Sequence, residues 1–297
     1  LHPLSIRPEL PLLYCTWASL LCSSSTQKSY SLVIEDLAWP LTIASLCTVF
    51  LGYIQFFHPI AIPFSLRMVE RLEGMSGITG QRNVFANIVA CGIASTCYLQ
   101  QTKRVSPWFG QVVCMFLASG LAFSGARAGW LYIGLLLVLF PSSILLPMLV
   151  MLLVRFWPAE GTDRLITRPS QEFMDSGRLI LWKQAIALWM QKPWLGSGFL
   201  TFREYSLQFA QENQGKFDRH SHNLFLQVLA ESGIFGLFLL IGLIASLIKN
   251  LQRNKLTWSI LGIQAIHSMV EFPLWYAQLL GLTAITIGVS YHEQFRK

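Results

Sequence analysis

The chain has 297 residues, of which 53% are hydrophobic and 12% charged, and its mean hydropathy is +0.49. Soluble domains carry roughly 25% charged residues, so this composition excludes an ordinary water-soluble domain and predicts a membrane protein. The net charge of +7 does not indicate binding to nucleic acid, because basic residues lie in short loops between apolar stretches and form no patch.

Apolar stretches that could form spanning helices recur along the whole chain. A helix needs about 20 apolar residues to cross a bilayer, or somewhat fewer when flanking side chains reach the surface. The candidates in chain order are Leu10–Cys22, Leu37–Phe57, Val84–Gln100, Trp108–Phe123, Trp130–Val154, Gly233–Ile248, Leu256–Ile266 and Leu274–Ser290. We therefore predict an all-α polytopic membrane protein with about eight or more transmembrane helices.

The basic residues of short loops predict the orientation. Lys103 and Arg104 mark one cytoplasmic loop, and the basic residues after Ile248 mark another. The long polar segment 155–232, with nine Lys/Arg and eight Asp/Glu, is then a periplasmic loop. Segment 124–129 is also predicted to be periplasmic, so an even number of crossings must separate it from the long loop. The stretch between them, 130–154, is long enough for only one crossing. Either 130–154 is a re-entrant hairpin bent at Pro141–Ser143, or residues are missing here.

Within the long loop, Arg178 begins a stretch with helical spacing that places Trp182 and Trp189 on one face. This pattern predicts a helix lying at the membrane interface. Pro193–Gly198 follows as a turn. We expect residues 1–297 to form a single membrane-embedded domain that contains the 155–232 loop. The chain does not begin with Met, so we expect it to be incomplete at its amino terminus.

Histidines and arginines near apolar boundaries are the candidates for chemistry. His222 lies just before an apolar run, and the positive end of a helix starting there would favour a neutral imidazole that serves as a general base. His220 is a partner or a bystander. Arg127 and Arg178 offer forked donors that match phosphate oxygens. The alternative roles are helix capping for the histidine and contact with lipid headgroups for the arginines.

His267 and Glu271 are four residues apart in a polar break near the last apolar runs. Ionisable residues at membrane depth are functional candidates, although the pair could instead lock a kink at Pro273. Glu231 is interpreted as a polar tie between helices. The spacing of Cys, His and acidic residues matches no zinc pattern and no phosphate-binding glycine loop is present, so we expect neither a metal nor a cofactor.

Several of these segments resemble motifs of the O-antigen ligase-like membrane proteins. His222-Asn223, nine residues, Gly233, two residues and Gly236 matches the family signature in full. Gly74–Asn83 is similar to its glycine-rich stretch, with Arg82 where the family has proline. Further resemblances extend over about residues 37 to 290: Ser124–Arg127 to a Ser-Arg motif, Arg178–Gly198 to the extracytoplasmic loop, and His267–Tyr276 to the HSxxEYPLxY stretch of the PglL branch.

The PglL branch comprises protein O-oligosaccharyltransferases that glycosylate pilins and other periplasmic proteins. The resemblance implies that a glycan moves en bloc from undecaprenyl pyrophosphate to a Ser or Thr hydroxyl at the periplasmic face of the bacterial inner membrane. His222 would be the base, and Arg178 and Arg127 would hold the pyrophosphate. An acceptor-site or supporting role would fall to His267, Glu271, Tyr276, Asn223 and His220.

Three alternatives stay open. An O-antigen ligase or polymerase would use a sugar acceptor such as lipid A-core, although the final motif favours a protein acceptor. A proton-coupled transporter would use His267, Glu271 and Glu231 as a relay; it would tolerate loss of His222, whereas the transferase would not. The chain could also be an inactive fragment.

Overall fold

The computed structural model describes residues 30–57, 74–155, 177–213, 217–251, 254–271 and 276–291. The predicted span Leu10–Cys22 lies outside these residues, as does much of the first third of the 155–232 loop. All regular structure in the described ranges is helical, which confirms the all-α prediction. The larger claim of eight or more crossings stays a prediction.

Ten α-helices occur in the described part of the chain. They are α1 (Tyr30–Phe57), α2 (Arg82–Gln101), α3 (Pro107–Phe123), α4 (Ala128–Leu139), α5 (Pro141–Arg155), α6 (Arg178–Gln191), α7 (Thr201–Asn213), α8 (Leu224–Asn250), α9 (Lys255–Val270) and α10 (Ala277–Tyr291). A 3-10 turn at Gly77–Thr79 precedes α2. Side chains start several helices: Gln81 Oε1 accepts from Val84 N at 2.7 Å, and Asn254 Oδ1 accepts from Leu256 N at 2.8 Å.

Among the described helices, two are long and apolar enough to cross a membrane, Asp36–Phe57 within α1 and the whole of α8. The apolar core helix of a soluble protein would be mostly buried, but only 17% of the most apolar part of α8 is buried. Large apolar side chains such as Phe238 and Leu239 are exposed on it. This exposure is expected of a helix that faces lipid. Shorter apolar helices cover Pro107–Phe123, Ala128–Leu139, Pro141–Val154 and Ala277–Ser290.

Residues 130–154 are interrupted near Pro141, as the first of the two alternatives for this stretch requires, although its course relative to a membrane stays open. Helix α4 ends at Leu139, Phe140 leaves the helical conformation with φ −136° and ψ 56°, and α5 begins at Pro141. Proline is favoured at the first position of a helix because an N–H at that position would have no acceptor within the helix, so its absence costs nothing. Two helices of 12 and 15 residues therefore replace one long span, and α5 packs against both α3 and α4.

The described helices form two compact units. Unit one contains α1 to α5, α9 as far as Gln264, and α10; unit two contains α6, α7, α8 and the chain from Ala265 to Glu271. Whether the whole chain acts as a single domain stays a prediction.

Unit one is centred on α2, which packs between α1 and α3 and is buried along most of its length. A reciprocal amide pair ties α2 to α9. Asn87 Nδ2 donates to Gln264 Oε1 at 3.2 Å, and Gln264 Nε2 donates to Asn87 Oδ1 at 2.9 Å. Both side chains are buried, so each amide satisfies a group that would otherwise be costly in an apolar core.

Unit two is held by one face of α6. Leu181, Ala185 and Leu188 recur at helical spacing and pack with Phe202 of α7 and Ala230 of α8. The helix predicted from Arg178 to Trp189 is thus present, with its apolar face turned to α7 and α8. Its position relative to the membrane surface stays a prediction.

Candidate active site

His222, two residues before α8, has an unusual backbone conformation. Asn223 caps the helix, because its Oδ1 accepts from Phe225 N at 3.0 Å and from Leu226 N at 3.1 Å. Its Nδ2 donates to Met269 O near the end of α9 at 3.1 Å. His222 takes φ +53°, a left-handed conformation that is uncommon outside glycine. This turn holds the imidazole at the amino end of the helix.

Two carboxylates contact the two ring nitrogens of His222. Nδ1 lies 2.7 Å from Glu271 Oε2, and Nε2 lies 3.0 Å from Asp218 Oδ2. The other oxygen of Glu271, Oε1, accepts from Arg178 Nη2 at 2.6 Å. One continuous chain of charged hydrogen bonds therefore runs within unit two, from Arg178 through Glu271 and His222 to Asp218.

The pKa of His222 is raised to about 9. Burial is the largest single influence and lowers the pKa, but the hydrogen bonds and charges of Asp218 and Glu271 together outweigh it. The sequence-based expectation of a neutral imidazole is therefore wrong. A helix end contributes roughly 0.3–1 kcal/mol, which two carboxylates in contact with the ring exceed. The resting side chain is an imidazolium that donates to both.

The acids of this chain have pKa values below their ordinary ones. Burial, the largest influence, acts to raise the pKa of Glu271, but His222, Arg178 and His267 lower it by more. Burial likewise raises the pKa of Asp218, and the hydrogen bond and charge of His222 reverse the effect. Both acids are therefore ionised near neutral pH. The pKa of His220 is lowered, first by burial.

A break in α8 joins the site to the preceding loop. Gly233 has φ +64° and ψ −165° inside the helix, and the N–H groups after it turn outward. Ile234 N donates to Pro193 O at 2.9 Å, and Gly198 N donates to Glu231 O at 2.9 Å. The side chain of Glu231 accepts from Phe202 N at 3.3 Å, so the predicted polar tie is present and runs to α7.

Glycines permit this contact. A Cβ on Gly233 would overlap the Trp194 carbonyl and lie 2.6 Å from Gly196 N, and a Cβ on Gly196 would lie 2.5 Å from Glu231 O. Both glycines also have positive φ. Gly233 is the glycine of the motif that follows His222-Asn223 after nine residues. It lies where α8 is broken and its main chain forms hydrogen bonds with the 193–198 turn.

The structure brings together most of the residues singled out from the sequence. His222, His220, Asn223, Arg178 and Glu271 all lie in unit two. His267 is also there and fully buried, and its carbonyl accepts from Glu271 N at 2.7 Å.

Two of the residues predicted to belong to the site, Arg127 and Tyr276, lie in unit one. Arg127 is the N-cap residue of α4, three residues after Ser124. The glycine-rich stretch meets this segment, since Met75 N donates to Phe123 O at 3.0 Å and a Cβ on Gly74 would overlap Ser124 O. The two resembling motifs of unit one are therefore neighbours in space. The functional roles of Arg127 and Tyr276 stay predictions.

Sequence reasoning missed Asp218. It lies in the polar segment before the motif, four residues ahead of His222, and its contact with the ring depends on the left-handed turn. Its backbone N–H donates to Ser206 Oγ at 3.2 Å, and its Oδ1 accepts from Arg219 N at 2.6 Å. The spacing could have suggested a partner, but only with the loop conformation known.

Comparison with known proteins places the chain in a family. The family model described as O-antigen ligase matches residues 77–241, which include the His222 motif. A ComP-specific O-oligosaccharyltransferase of Acinetobacter baylyi is 22% identical across 84% of this chain. The chain spans about half of that relative, 50% of its length. The predicted O-antigen ligase-like family is confirmed by the family match, and the similarity to an O-oligosaccharyltransferase agrees with its predicted PglL-type branch: the chain belongs to the O-antigen ligase-like membrane proteins.

Proposed function

We propose that this protein transfers a glycan en bloc from undecaprenyl pyrophosphate to Ser or Thr hydroxyls of a periplasmic protein such as a pilin. The observation that carries the proposal is His222 between Asp218 and Glu271, with Arg178 on the far oxygen of Glu271. A histidine oriented by a buried carboxylate is suited to take a proton from a hydroxyl, and a neighbouring arginine is suited to an anionic leaving group.

The reaction needs one bond made and one broken at the anomeric carbon. The acceptor oxygen bonds to that carbon, and the carbon–oxygen bond to the pyrophosphate breaks, so undecaprenyl pyrophosphate leaves with the electron pair. His222 first releases one ring proton to water, and the neutral ring then takes the proton of the acceptor hydroxyl. Arg178 has five N–H donors, and its pairing with Glu271 uses Nη2. Its remaining donors suit it to stabilise the departing phosphate. A pyrophosphate is a stable leaving group, and independence from metal stays a prediction.

The acceptor is the finer part of the proposal. The His267–Tyr276 segment, similar to the PglL stretch, supports a protein hydroxyl, and the A. baylyi relative is named as a ComP-specific O-oligosaccharyltransferase. The family description supports a sugar acceptor as the second candidate. Lys249 lies in the last turn of α8, at the opposite end from His222. With the basic end of that helix in the cytoplasm, His222 faces the periplasm.

The test is pilin glycosylation in a Gram-negative host that lacks its own ligases and supplies a lipid-linked glycan. Intact mass of the pilin is measured for the wild type, for His222→Asn and for Glu204→Gln. Asparagine tolerates the left-handed backbone of position 222, and Glu204 is exposed on α7. We expect a glycan-sized mass gain with the wild type and Glu204→Gln that is absent with His222→Asn.

Other results identify the alternatives. Decoration of lipopolysaccharide without any change in pilin mass would replace the protein acceptor by a sugar acceptor. Glycosylation that survives His222→Asn would remove His222 from the chemistry. If neither pilin nor lipopolysaccharide is modified while the protein is stably inserted in the membrane, the transfer proposal fails for this chain.

A further inference from the structure

The two carboxylates that contact His222 differ in accessibility. The side chain of Glu271 is 7% exposed and is also fixed by Arg178, whereas that of Asp218 is 41% exposed. Between them, His222 is 24% exposed. The chain of charges therefore runs from a buried, doubly bonded end at Glu271 to an accessible end at Asp218.

This asymmetry identifies the ring nitrogen that reacts. A hydroxyl can give its proton only to a nitrogen that it reaches as a hydrogen-bond donor. Nδ1 is held by Glu271. If the Glu271 side chain moved away from the ring, its hydrogen bond with Arg178 would break as well. Nε2 is held by Asp218, whose side chain is 41% exposed, so that water can replace the ring as its hydrogen-bond partner once the ring is neutral. Access to the base therefore requires Asp218 to leave Nε2.

We infer that Asp218 is a positioning residue that caps Nε2 of His222 in the resting enzyme and yields this nitrogen to the acceptor hydroxyl, while Glu271 keeps Nδ1 in place throughout. The inference deepens the proposed function and rests on it for the identity of the incoming hydroxyl. When the acceptor enters, its hydroxyl replaces Asp218 as the hydrogen-bond partner of Nε2.

The protons balance through this exchange. In the resting imidazolium, both N–H groups donate to carboxylates. Release of the Nε2 proton to water, beside the exposed Asp218, leaves a neutral ring whose Nδ1–H still donates to Glu271. The acceptor O–H then donates to Nε2 and transfers its proton as oxygen bonds to the anomeric carbon and the pyrophosphate leaves. The ring is again an imidazolium, and Asp218 returns to Nε2.

Several charged groups surround the ring. Asp218 and Glu271 contact the ring itself, Arg178 and His267 act on Glu271, and His220 lies near Asp218, Arg219 and His222. Arg178 is paired with Glu271, so Asp218 supplies much of the unbalanced negative charge beside the imidazolium. Removing it lowers the pKa of His222, because one of the two carboxylates that stabilise the charged ring is lost.

Asp218→Asn is the sharpest perturbation. The amide oxygen can still accept from Arg219 N, which keeps the loop turn, while the negative charge is removed. The pH profile of kcat/KM for the acceptor peptide is measured for the wild type, Asp218→Asn, Glu271→Gln and the exposed control Glu204→Gln. For Asp218→Asn we expect the midpoint of the rising limb to fall by about one pH unit, which raises kcat/KM at pH 7 by up to roughly tenfold.

The matched variants separate the roles of the carboxylates. Glu271→Gln should lose transfer at every pH, because the ring loses the acceptor that orients it, and Glu204→Gln should match the wild type. Loss of kcat with Asp218→Asn at all pH values and an unchanged midpoint would overturn the exchange and make Asp218 an obligatory part of the base.

A second readout needs no transfer. Ethoxyformylation of His222 by diethyl pyrocarbonate, quantified by peptide mass spectrometry, requires an accessible neutral nitrogen and can be titrated on the protein alone. We expect Asp218→Asn to react at lower pH and faster than the wild type. An unchanged titration would overturn the cap even if glycan transfer is found. A shifted titration with no glycan transfer would keep the cap and refute the proposed function.

Discussion

The glycine at the break in α8 offers the most direct test of how the site is positioned. Alanine at position 233 would have to adopt φ +64° and ψ −165°, a region that is essentially confined to glycine. Such backbone strain costs about 1–3 kcal/mol. The added Cβ would also overlap the Trp194 carbonyl, and overpacking costs about 1–3 kcal/mol.

Together these terms predict a loss of roughly 2–6 kcal/mol for Gly233→Ala, a large part of the roughly 5–15 kcal/mol that stabilises a typical protein. At about 2–4 °C per kcal/mol for a protein of this size, even the lower limit lowers the thermal midpoint by roughly 4–8 °C. The assay is the fraction of monodisperse protein that remains after heating in detergent, followed by size-exclusion chromatography.

Gly242→Ala is the matched control on the same helix. No atom lies within 4 Å of a Cβ built at position 242, and alanine favours a helix over glycine by about 1 kcal/mol. We expect a midpoint equal to or above that of the wild type. If Gly233→Ala and Gly242→Ala melt together, the break in α8 is not held by the contact with the 193–198 turn, and the reasoning is refuted.

Four further predictions concern other contacts. Asn223→Ala loses the helix cap and about 1 kcal/mol, whereas Asn223→Ser keeps most of it; equal melting of the two would contradict the capping role. Asn87→Leu and Gln264→Met should each cost about 1–3 kcal/mol, and the double variant should cost less than their sum, so additive losses would refute the coupling. Arg178→Ala should raise KM for the lipid-linked donor by roughly tenfold, and an unchanged KM would remove it from donor binding. The kcat/KM of the wild type should rise with pH up to about 9, because the base must be neutral and the pKa of His222 is raised to about 9; a flat profile between pH 7 and 9 would contradict this assignment.

Local signals in the sequence were enough to place several elements. The apolar run after His222 predicts a helix there, although the predicted span begins at Gly233 and α8 begins at Leu224, where Asn223 caps it. Helix α6 follows from apolar residues at helical spacing. The break at Phe140 follows from the proline after it. The family motif identified His222 as the centre of the site, because a short spaced pattern needs no knowledge of the fold.

Long-range contacts could not be predicted in the same way. Arg178 and Glu271 are 93 residues apart, and Asn87 and Gln264 are 177 residues apart. Contacts between residues so far apart along the sequence produce no periodic pattern from which they could be predicted. The protonation of His222 is mispredicted partly for the same reason, because Glu271 is 49 residues away. Asp218 is only four residues away, but its contact with the ring could not be predicted without the conformation of the loop.

The contact between Gly233 and the 193–198 turn has a consequence for how such proteins diverge. Its hydrogen bonds join main chain to main chain, at Ile234 N to Pro193 O and at Gly198 N to Glu231 O. Side chains on either side are then free to drift, provided that the two glycines keep their places. What this support under His222 requires of the sequence is a spacing of glycines rather than a string of particular residues.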